Sequence, residues 1–255
     1  MTGEGNTVDS TMERWYEAIK KRVSVRKYSS GVSRDELKVL KEAAAYFSTD
    51  DVRIVVGKKV GIFNPVIAKT ISGTDTYAAI ISRNGDNDYN VGLVGEAFVL
   101  ECTSMGLGTC WLGASYNRSV ANQSIKYDPK REKIRCLISV GHFTTAPAHK
   151  RTRKTIYNLT GLEDTAYRKL PDWQKCAVEC GRLAPSARNV QPWEFDILED
   201  VVQVACISKN FGYGGVDCGI AMLHIEIGAA HCGVYGDWQT DDRLPLFTPD
   251  RSINT

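Results

Sequence analysis

Two long segments rich in small and apolar residues constrain the fold more than any other feature of this sequence. Gly92–Gly108 and Val216–Gly233 lie about 125 residues apart, and each reads as a helix that ends at a glycine. Each follows a shorter helical segment and two stretches rich in β-branched residues. This order predicts a duplicated α+β chain. Coincidence is the open alternative, because helices with small residues are common.

The repeat divides the chain into two halves. We expect a first half over residues 12–160, a second half over residues 161–240, and flexible or extended tails at residues 1–11 and 241–255. In the first half, Ser33 and Glu36 have the spacing of a capping box that begins a helix. The small residues Gly92, Gly95 and Ala97 predict that another helix packs closely against the long helix of this half.

Composition excludes several classes of protein. The 255 residues include 32 Lys+Arg and 30 Asp+Glu, and the formal charge of +2 is too low for a dedicated nucleic-acid binder. No apolar run is long enough to cross a membrane, and the N-terminus has no secretory pattern, so we expect a cytoplasmic protein. The eight cysteines show no CxxC spacing and mostly lie in apolar stretches, which predicts buried reduced thiols and no metal site.

The segment RVSVR, at the end of the first helix, contains the first candidate binding residues. In extended backbone, Arg22, Ser24 and Arg26 point to the same side. Two guanidiniums and a hydroxyl are suitable donors for a phosphate. A solvated basic helix end is the alternative, and the spacing alone favours it.

The segment APSARNVQPW, residues 184–193, is a second candidate. Its two prolines restrict the backbone, and Ser186, Asn189 and Gln191 offer polar side chains. A rigid loop with amide side chains can bind the edge of a planar polar ring. The alternative is an ordinary turn between a helix and a strand.

Two further segments give weaker signals. Met105–Ala114 contains glycines that let a backbone approach a flat ligand closely, although it has no dinucleotide-binding or P-loop pattern. The basic loop Lys150–Arg153 can add positive charge near a phosphate, but such loops are usually solvated.

Taken together, these segments resemble the flavin-dependent nitroreductase family. The resemblance rests on RVSVRKY, APSARNVQPW, GEAFVLECTSMGLGTCWLG and VGHF, and it touches most of residues 15–240. It implies an α+β nitroreductase-like fold. Ordinary members of this family are homodimers that bind FMN at the subunit interface, where one subunit provides the RxSxR segment and the other the PSxxN loop.

This chain departs from that pattern because RVSVR occurs only in the first half and PSARN only in the second. The resemblance therefore implies two fused pseudo-symmetric halves that form an intramolecular pseudo-dimer with one composite FMN site. Such an arrangement is similar to the single-chain, duplicated subfamily of nitroreductases. We accordingly expect the protein to be a monomer.

The resemblance also implies roles for individual residues. FMN phosphate, ribityl or ring-edge contacts are expected from Arg22, Ser24, Arg26, Arg151 and Arg153. The residues expected to line the isoalloxazine from the second half are Pro185, Ser186, Ala187 and Asn189, and Gln191 is a further cofactor-binding candidate. Leu112, Gly113 and Ala114 match the loop whose backbone amide donates to flavin N5.

The function implied is that of an FMN-dependent oxidoreductase. A hydride from NADH or NADPH would pass through flavin N5 to a nitro compound, a quinone or a similar small acceptor, with no side chain as an obligatory acid or base. Many relatives have Glu at the position of Gly113, so nicotinamide affinity is open. Two alternatives also stay open: a flavin-binding protein without efficient turnover, and a specialised flavin enzyme of the same fold, such as a dehalogenase or an azoline oxidase. No nucleic-acid or membrane partner is expected.

Overall fold

The computed structural model describes residues 10–64, 71–83, 87–145, 152–240 and 244–250. The chain divides into two compact units. Lys21–Lys150 forms the central unit, and Met1–Lys20 together with Arg151–Thr255 forms the terminal unit. The compact units therefore divide the chain at different points from the predicted halves, which meet at residues 160 and 161.

Helix α1, Ser10–Lys21, accounts for part of this difference. It buries Trp15 and Ile19. Its Glu13 accepts a hydrogen bond at 2.8 Å from His231, at the end of the last long helical segment of the chain. The helix thus packs with the terminal unit, although it precedes the central unit in sequence. Residues 1–9 of the predicted tail lie outside the described residues. Its last two residues, Ser10 and Thr11, belong to α1.

Within its described residues, the central unit contains a four-stranded antiparallel sheet and three helices. Its elements in chain order are α2 (Arg34–Phe47), β1 (Val52–Lys58), β2 (Thr76–Arg83), α3 (Asp88–Ser104), β3 (Gly108–Leu112), α4 (Arg118–Ser124) and β4 (Glu132–Gly141). The strand order is β1-β2-β4-β3. The predicted capping box at the start of α2 is confirmed, since Ser33 Oγ accepts from Glu36 N at 3.2 Å and Ser33 N donates to the Glu36 carboxylate at 2.7 Å.

The terminal unit repeats this plan. After α1, its elements are α5 (Ile156–Thr160), α6 (Asp164–Tyr167), α7 (Asp172–Leu183), β5 (Trp193–Leu198), β6 (Val201–Cys206), α8 (Gly214–His231), β7 (Gly236–Gln239) and β8 (Leu246–Pro249). The antiparallel strand order is β5-β6-β8-β7, the same order as in the central sheet. Shared element order and shared sheet order support the internal duplication predicted from the sequence.

Two expectations about local structure differ from what the structure shows. Part of the segment expected to be a tail forms β8, whose Phe247 is fully buried. The glycine-containing segment after α3 forms β3, and a Cβ at Gly108 would lie 2.8 Å from Val25 Cγ2. The glycine therefore permits close packing of Val25 and Phe143 against this strand.

The long helices use their glycines for packing within their own units. In α3, a Cβ at Gly95 would clash with the Trp111 ring of β3, so this glycine accommodates a strand side chain. Helix α3 also contacts α2, as the small residues predict. In α8, a Cβ at Gly228 would lie 2.6 Å from the Cys176 carbonyl oxygen of α7, a true helix–helix contact. In the part of the chain that is described, no helix combines the length and apolarity needed to cross a membrane.

Candidate functional site

The RVSVR segment runs as extended backbone beside β3 in the central unit. Ser24 forms a parallel bridge with Thr109, and Val25 N donates to Thr109 O at 2.8 Å. Val25 is buried in the hydrophobic core and Val23 packs against it. Since side chains alternate along an extended segment, the intervening polar side chains point to the other face, as the sequence predicts.

Arg22 occupies a buried ionic environment on that face. Its side chain is 5% exposed, and its Nε lies 3.9 Å from Oε1 of Glu96, which is fully buried in α3. The other carboxylate oxygen of Glu96 accepts from Trp111 Nε1 at 2.8 Å. Burial lowers the pKa of Arg22, while the charge of Glu96 opposes that shift. The positive charge of Arg22 is therefore largely balanced within the unit.

Ser24 and Arg26 are more accessible than Arg22. Ser24 is half-buried and Arg26 is exposed. Burial raises the pKa of Cys110, whereas Arg26, Arg22 and a hydrogen bond with Ser24 act in the opposite direction. Arg22, Ser24 and Arg26 thus all affect the pKa of the same buried thiol, so the structure places the three side chains close together. The raised pKa agrees with a structural role for Cys110 rather than a nucleophilic one.

The end of β3 provides the remaining candidates of the central unit. Because the bridge between Ser24 and Thr109 is parallel, Arg26 lies toward the C-terminal end of β3. There Leu112 is buried, Gly113 is half-buried and Ala114 is exposed in a run of bends. The backbone predicted to contact flavin N5 is therefore at least partly accessible. It directly follows β3, the strand that pairs with the RVSVR segment.

In the terminal unit, the PSARN loop has an unusual backbone. Arg188, Asn189 and Gln191 have φ values of 53°, 58° and 54°, a region that L-residues rarely adopt. Ser186 stabilises this conformation, because its Oγ accepts from Gln191 N at 2.8 Å and its carbonyl accepts from Asn189 N at 3.0 Å. Such conformations persist only where the surroundings hold them, and they are frequent at binding sites.

The amide side chains of the PSARN loop form hydrogen bonds with residues 152–154. Asn189 Oδ1 accepts from Arg153 Nη1 at 2.6 Å, and its Nδ2 donates to Thr152 O at 2.9 Å. Gln191 Oε1 accepts from Lys154 N at 2.8 Å. The structure therefore places Arg153 in the terminal unit beside Asn189, whereas the sequence grouped it with the first half. Arg151 lies outside the described residues.

A buried acid that the sequence analysis missed fixes the start of this loop. Asp217 of α8 is 3% exposed, and its Oδ1 accepts from Ala187 N at 2.9 Å. Its Oδ2 accepts from Asn210 Nδ2 at 2.5 Å, and that amide also donates to Ala187 O at 3.0 Å. Burial raises the pKa of Asp217 to about 6. Asp217 and Glu96 share one sequence signal, an acid among the apolar residues of a long helix, which indicates a buried partner.

A second unpredicted feature is an exposed aromatic residue beside the loop. The Arg188 guanidinium carbon lies 4.3 Å from the centroid of the Phe211 ring. Phe211 is 73% exposed and has a φ of 57°. The pair places a cation on an accessible aromatic face next to the PSARN loop.

Comparisons with known proteins agree with these motifs. A family model described as "Putative TM nitroreductase" matches residues 14–229. A solved structure from Thermotoga maritima, titled a "putative nitroreductase", has 20% identity and a TM-score of 0.68, covering 97% of this chain and 98% of that one. At this identity the likeness establishes the fold. No curated protein matches the sequence.

Other solved structures match a smaller part of the chain. An FMN-dependent nitroreductase from Clostridium difficile R20291 has 18% identity and a TM-score of 0.42, covering 60% of this chain and 96% of that one. A "putative nitroreductase in complex with FMN" from Exiguobacterium sibiricum 255-15 has 14% identity and a TM-score of 0.47, covering 62% and 98%.

Proposed function

The chain belongs to the nitroreductase family whose model matches residues 14–229, and from this premise we propose that it is an FMN-dependent oxidoreductase. It would transfer a hydride from NADH or NADPH to a small acceptor such as a nitro compound or a quinone. Both motif segments lie within the matched range. The observation that carries the proposal is the parallel pairing of Ser24 with Thr109, which aligns the basic segment with the end of β3.

The donor set of the central unit is suitable for the phosphate of FMN. Arg26 is exposed and Ser24 is half-buried, so a guanidinium and a hydroxyl can both donate to phosphate oxygens. Because Glu96 balances the charge of Arg22, the net positive charge comes mainly from Arg26. Arg22 then acts chiefly by holding the segment in place. The exposed backbone at Ala114 is the candidate donor to the flavin ring.

The PSARN loop contributes in a different way from the one expected from its composition. The side chains of Asn189 and Gln191 already make hydrogen bonds to residues 152–154. Their role is therefore to hold the loop in its rare conformation, and the preformed backbone from Pro185 to Asn189 would contact the flavin. When bound, FMN supplies the hydride chemistry, and the protein supplies orientation and electrostatics.

The first experiment is a visible absorbance spectrum of the purified protein, followed by quantification of the flavin released per chain. We expect a yellow protein with one FMN per chain after reconstitution. Arg26→Ala combined with Ser24→Ala removes up to two phosphate contacts worth about 1.5–3 kcal/mol for each charge-assisted bond. The Kd for FMN should rise at least about tenfold. Arg34→Ala, which removes another exposed arginine of the central unit, is the matched control.

The outcomes separate cofactor binding from catalysis. A colourless protein that does not bind added FMN would contradict the proposal, and unchanged FMN affinity in the double variant would refute the phosphate assignment. Two FMN per chain would refute the single composite site. Steady-state oxidation of NADH or NADPH with a nitroaromatic or a quinone tests turnover, and FMN binding without it would indicate a flavin-binding protein that is not an enzyme. A monomeric state and a cytoplasmic location stay predictions.

A further inference from the structure

Three helices of the terminal unit place reactive side chains around two cysteines. Tyr16 of α1 has its hydroxyl 3.8 Å from Cys176 Sγ of α7. The Tyr16 ring stacks on the ring of His231 at the end of α8, with 3.5 Å between centroids and 11° between planes. Cys232 follows His231 directly. One aromatic side chain thus contacts both the first thiol and the residue next to the second.

The packing of α7 against α8 brings the two thiols within reach of each other. Gly228 lies against the backbone of Cys176, and earlier in α8 Ile225 lies against Gly181, so the two helices run antiparallel. Helical side chains lean toward the N-terminus of their helix, which directs Cys176 toward the end of α7 where Cys232 lies, one turn beyond Gly228. The Cys176 thiol is also one of the groups that raise the pKa of Cys232, which agrees with this proximity.

This pair is also the most accessible of the cysteines. None of the eight is in a disulfide bond within the described residues, and Cys232 is exposed while Cys176 is half-buried. A second pair of neighbouring thiols is Cys206 with Cys218, since Cys206 raises the pKa of Cys218, but Cys218 is fully buried. The remaining cysteines are buried: Cys102, Cys110, Cys136 and Cys180. Within the described residues, no group of three or more His, Cys, Asp or Glu side chains is placed to hold a metal ion.

We propose that Cys176 and Cys232 are a modification site, a dithiol that hydrogen peroxide oxidises to an intramolecular disulfide. The thiolate of one cysteine attacks a peroxide oxygen, which gives a sulfenic acid and releases hydroxide. The second thiol then displaces water from the sulfenic acid as the S–S bond forms. Two thiols and one peroxide yield one disulfide and two water molecules.

The surroundings predict a slow reaction near neutral pH. Burial, and then the neighbouring Cys176 thiol, raise the pKa of Cys232 to about 12, and the nearby carboxylate of Asp172 acts in the same direction. Tyr16 of α1 and His231 of α8 also face the pair. Further charged or titratable groups lie next to them: Lys20 over the Tyr16 ring, Glu13 bonded to His231, Lys175 paired with Asp172, and Cys180. Because the thiolate is the reactive species, oxidation should accelerate about tenfold per pH unit between about pH 7 and pH 9.

The test uses the full chain, incubated with hydrogen peroxide and compared with the same protein after dithiothreitol. We expect the intact mass to fall by about 2 Da and peptide mapping to link Cys176 to Cys232. The bond closes a loop of more than fifty residues, so the Tm of the oxidised protein should rise by about 5 °C or more. Cys232→Ser should abolish both effects. Cys206→Ser, which alters the other thiol pair, should leave both unchanged.

Other outcomes would overturn the proposal. One is an unchanged mass with both thiols still open to alkylation. Another is a disulfide at other positions, either between Cys206 and Cys218 or between two chains through Cys232. The last is stable sulfinic acid at Cys232 without a disulfide. None of these measurements uses flavin or NADH. The proposal therefore stands or fails independently of the proposed function.

Discussion

The buried carboxylate of Asp217 should make the stability of the terminal unit depend on pH. Asp217 accepts hydrogen bonds from Ala187 and Asn210, but burial outweighs them and raises its pKa from 3.8 to about 6. The folded protein therefore binds more protons than the unfolded chain between about pH 4 and pH 6. The stabilising contribution is fully present below about pH 4 and is lost as the pH rises through about 6.

The magnitude follows from the size of the shift. A difference of about two pKa units corresponds to about 3 kcal/mol in the free energy of unfolding. Asp217→Asn removes the titration and keeps an oxygen that can accept from Ala187 N. The difference in stability between wild type and variant should therefore change by about 3 kcal/mol from pH 4 to pH 7.5, in the direction that favours the variant at the higher pH.

The assay is urea unfolding at several pH values, followed by tryptophan fluorescence. Four of the five tryptophans lie in the terminal unit, so the signal reports mainly on that unit. Glu226, whose pKa burial raises to about 7, gives a trend of the same sign, but it is present in both proteins and cancels in the difference. The control is Asp196→Asn, at an exposed aspartate of β5. If wild type and Asp217→Asn change in parallel with pH, the reasoning about Asp217 is wrong.

Two further substitutions test the packing of the long helices. Glu96→Ala removes the carboxylate that balances buried Arg22 and should lower the free energy of unfolding by about 3–5 kcal/mol. Glu96→Gln keeps an acceptor for Trp111 and should lower it by less. Equal losses of stability in urea unfolding would contradict the ionic role. Gly228→Ala places a Cβ 2.6 Å from the Cys176 carbonyl oxygen and should cost about 1–3 kcal/mol in the same measurement; a neutral result would show that α7 and α8 separate easily.

The elements that the sequence predicted well are those whose signals are local. The capping box of Ser33 and Glu36 and the two glycine-ended helices depend on neighbouring residues, and all three are present in the structure. Strands β3 and β8 were missed because their identity depends on distant partners. Gly108 gave the appearance of a loop, but it pairs with Gly141 of β4. Phe247 lies in a polar, proline-containing stretch, but it pairs with Val202 of β6 and is fully buried.

The candidate site shows the same division between local and distant information. Alternation in RVSVR placed Arg22 on the correct face, but nothing near it in sequence indicated that Glu96, more than seventy residues away, would balance its charge. In the same way, the composition of PSARN identified a polar loop without showing that Asn189 would bind Arg153. Polar residues that stabilise a loop and polar residues that bind a ligand have the same composition, and only their hydrogen-bond partners distinguish them.

In each unit a buried carboxylate from the long helix lies at the segment that carries the motif. Glu96 of α3 lies beside Arg22, and Asp217 of α8 binds the backbone at Ala187. Since a buried acid is costly unless it is hydrogen-bonded, both residues fix the position of what they bind more than they add to net stability. If the motifs bind FMN as proposed, Glu96→Gln should weaken FMN affinity without altering the pH dependence that Asp217 produces. A change in that pH dependence would show that the two anchors do not act separately.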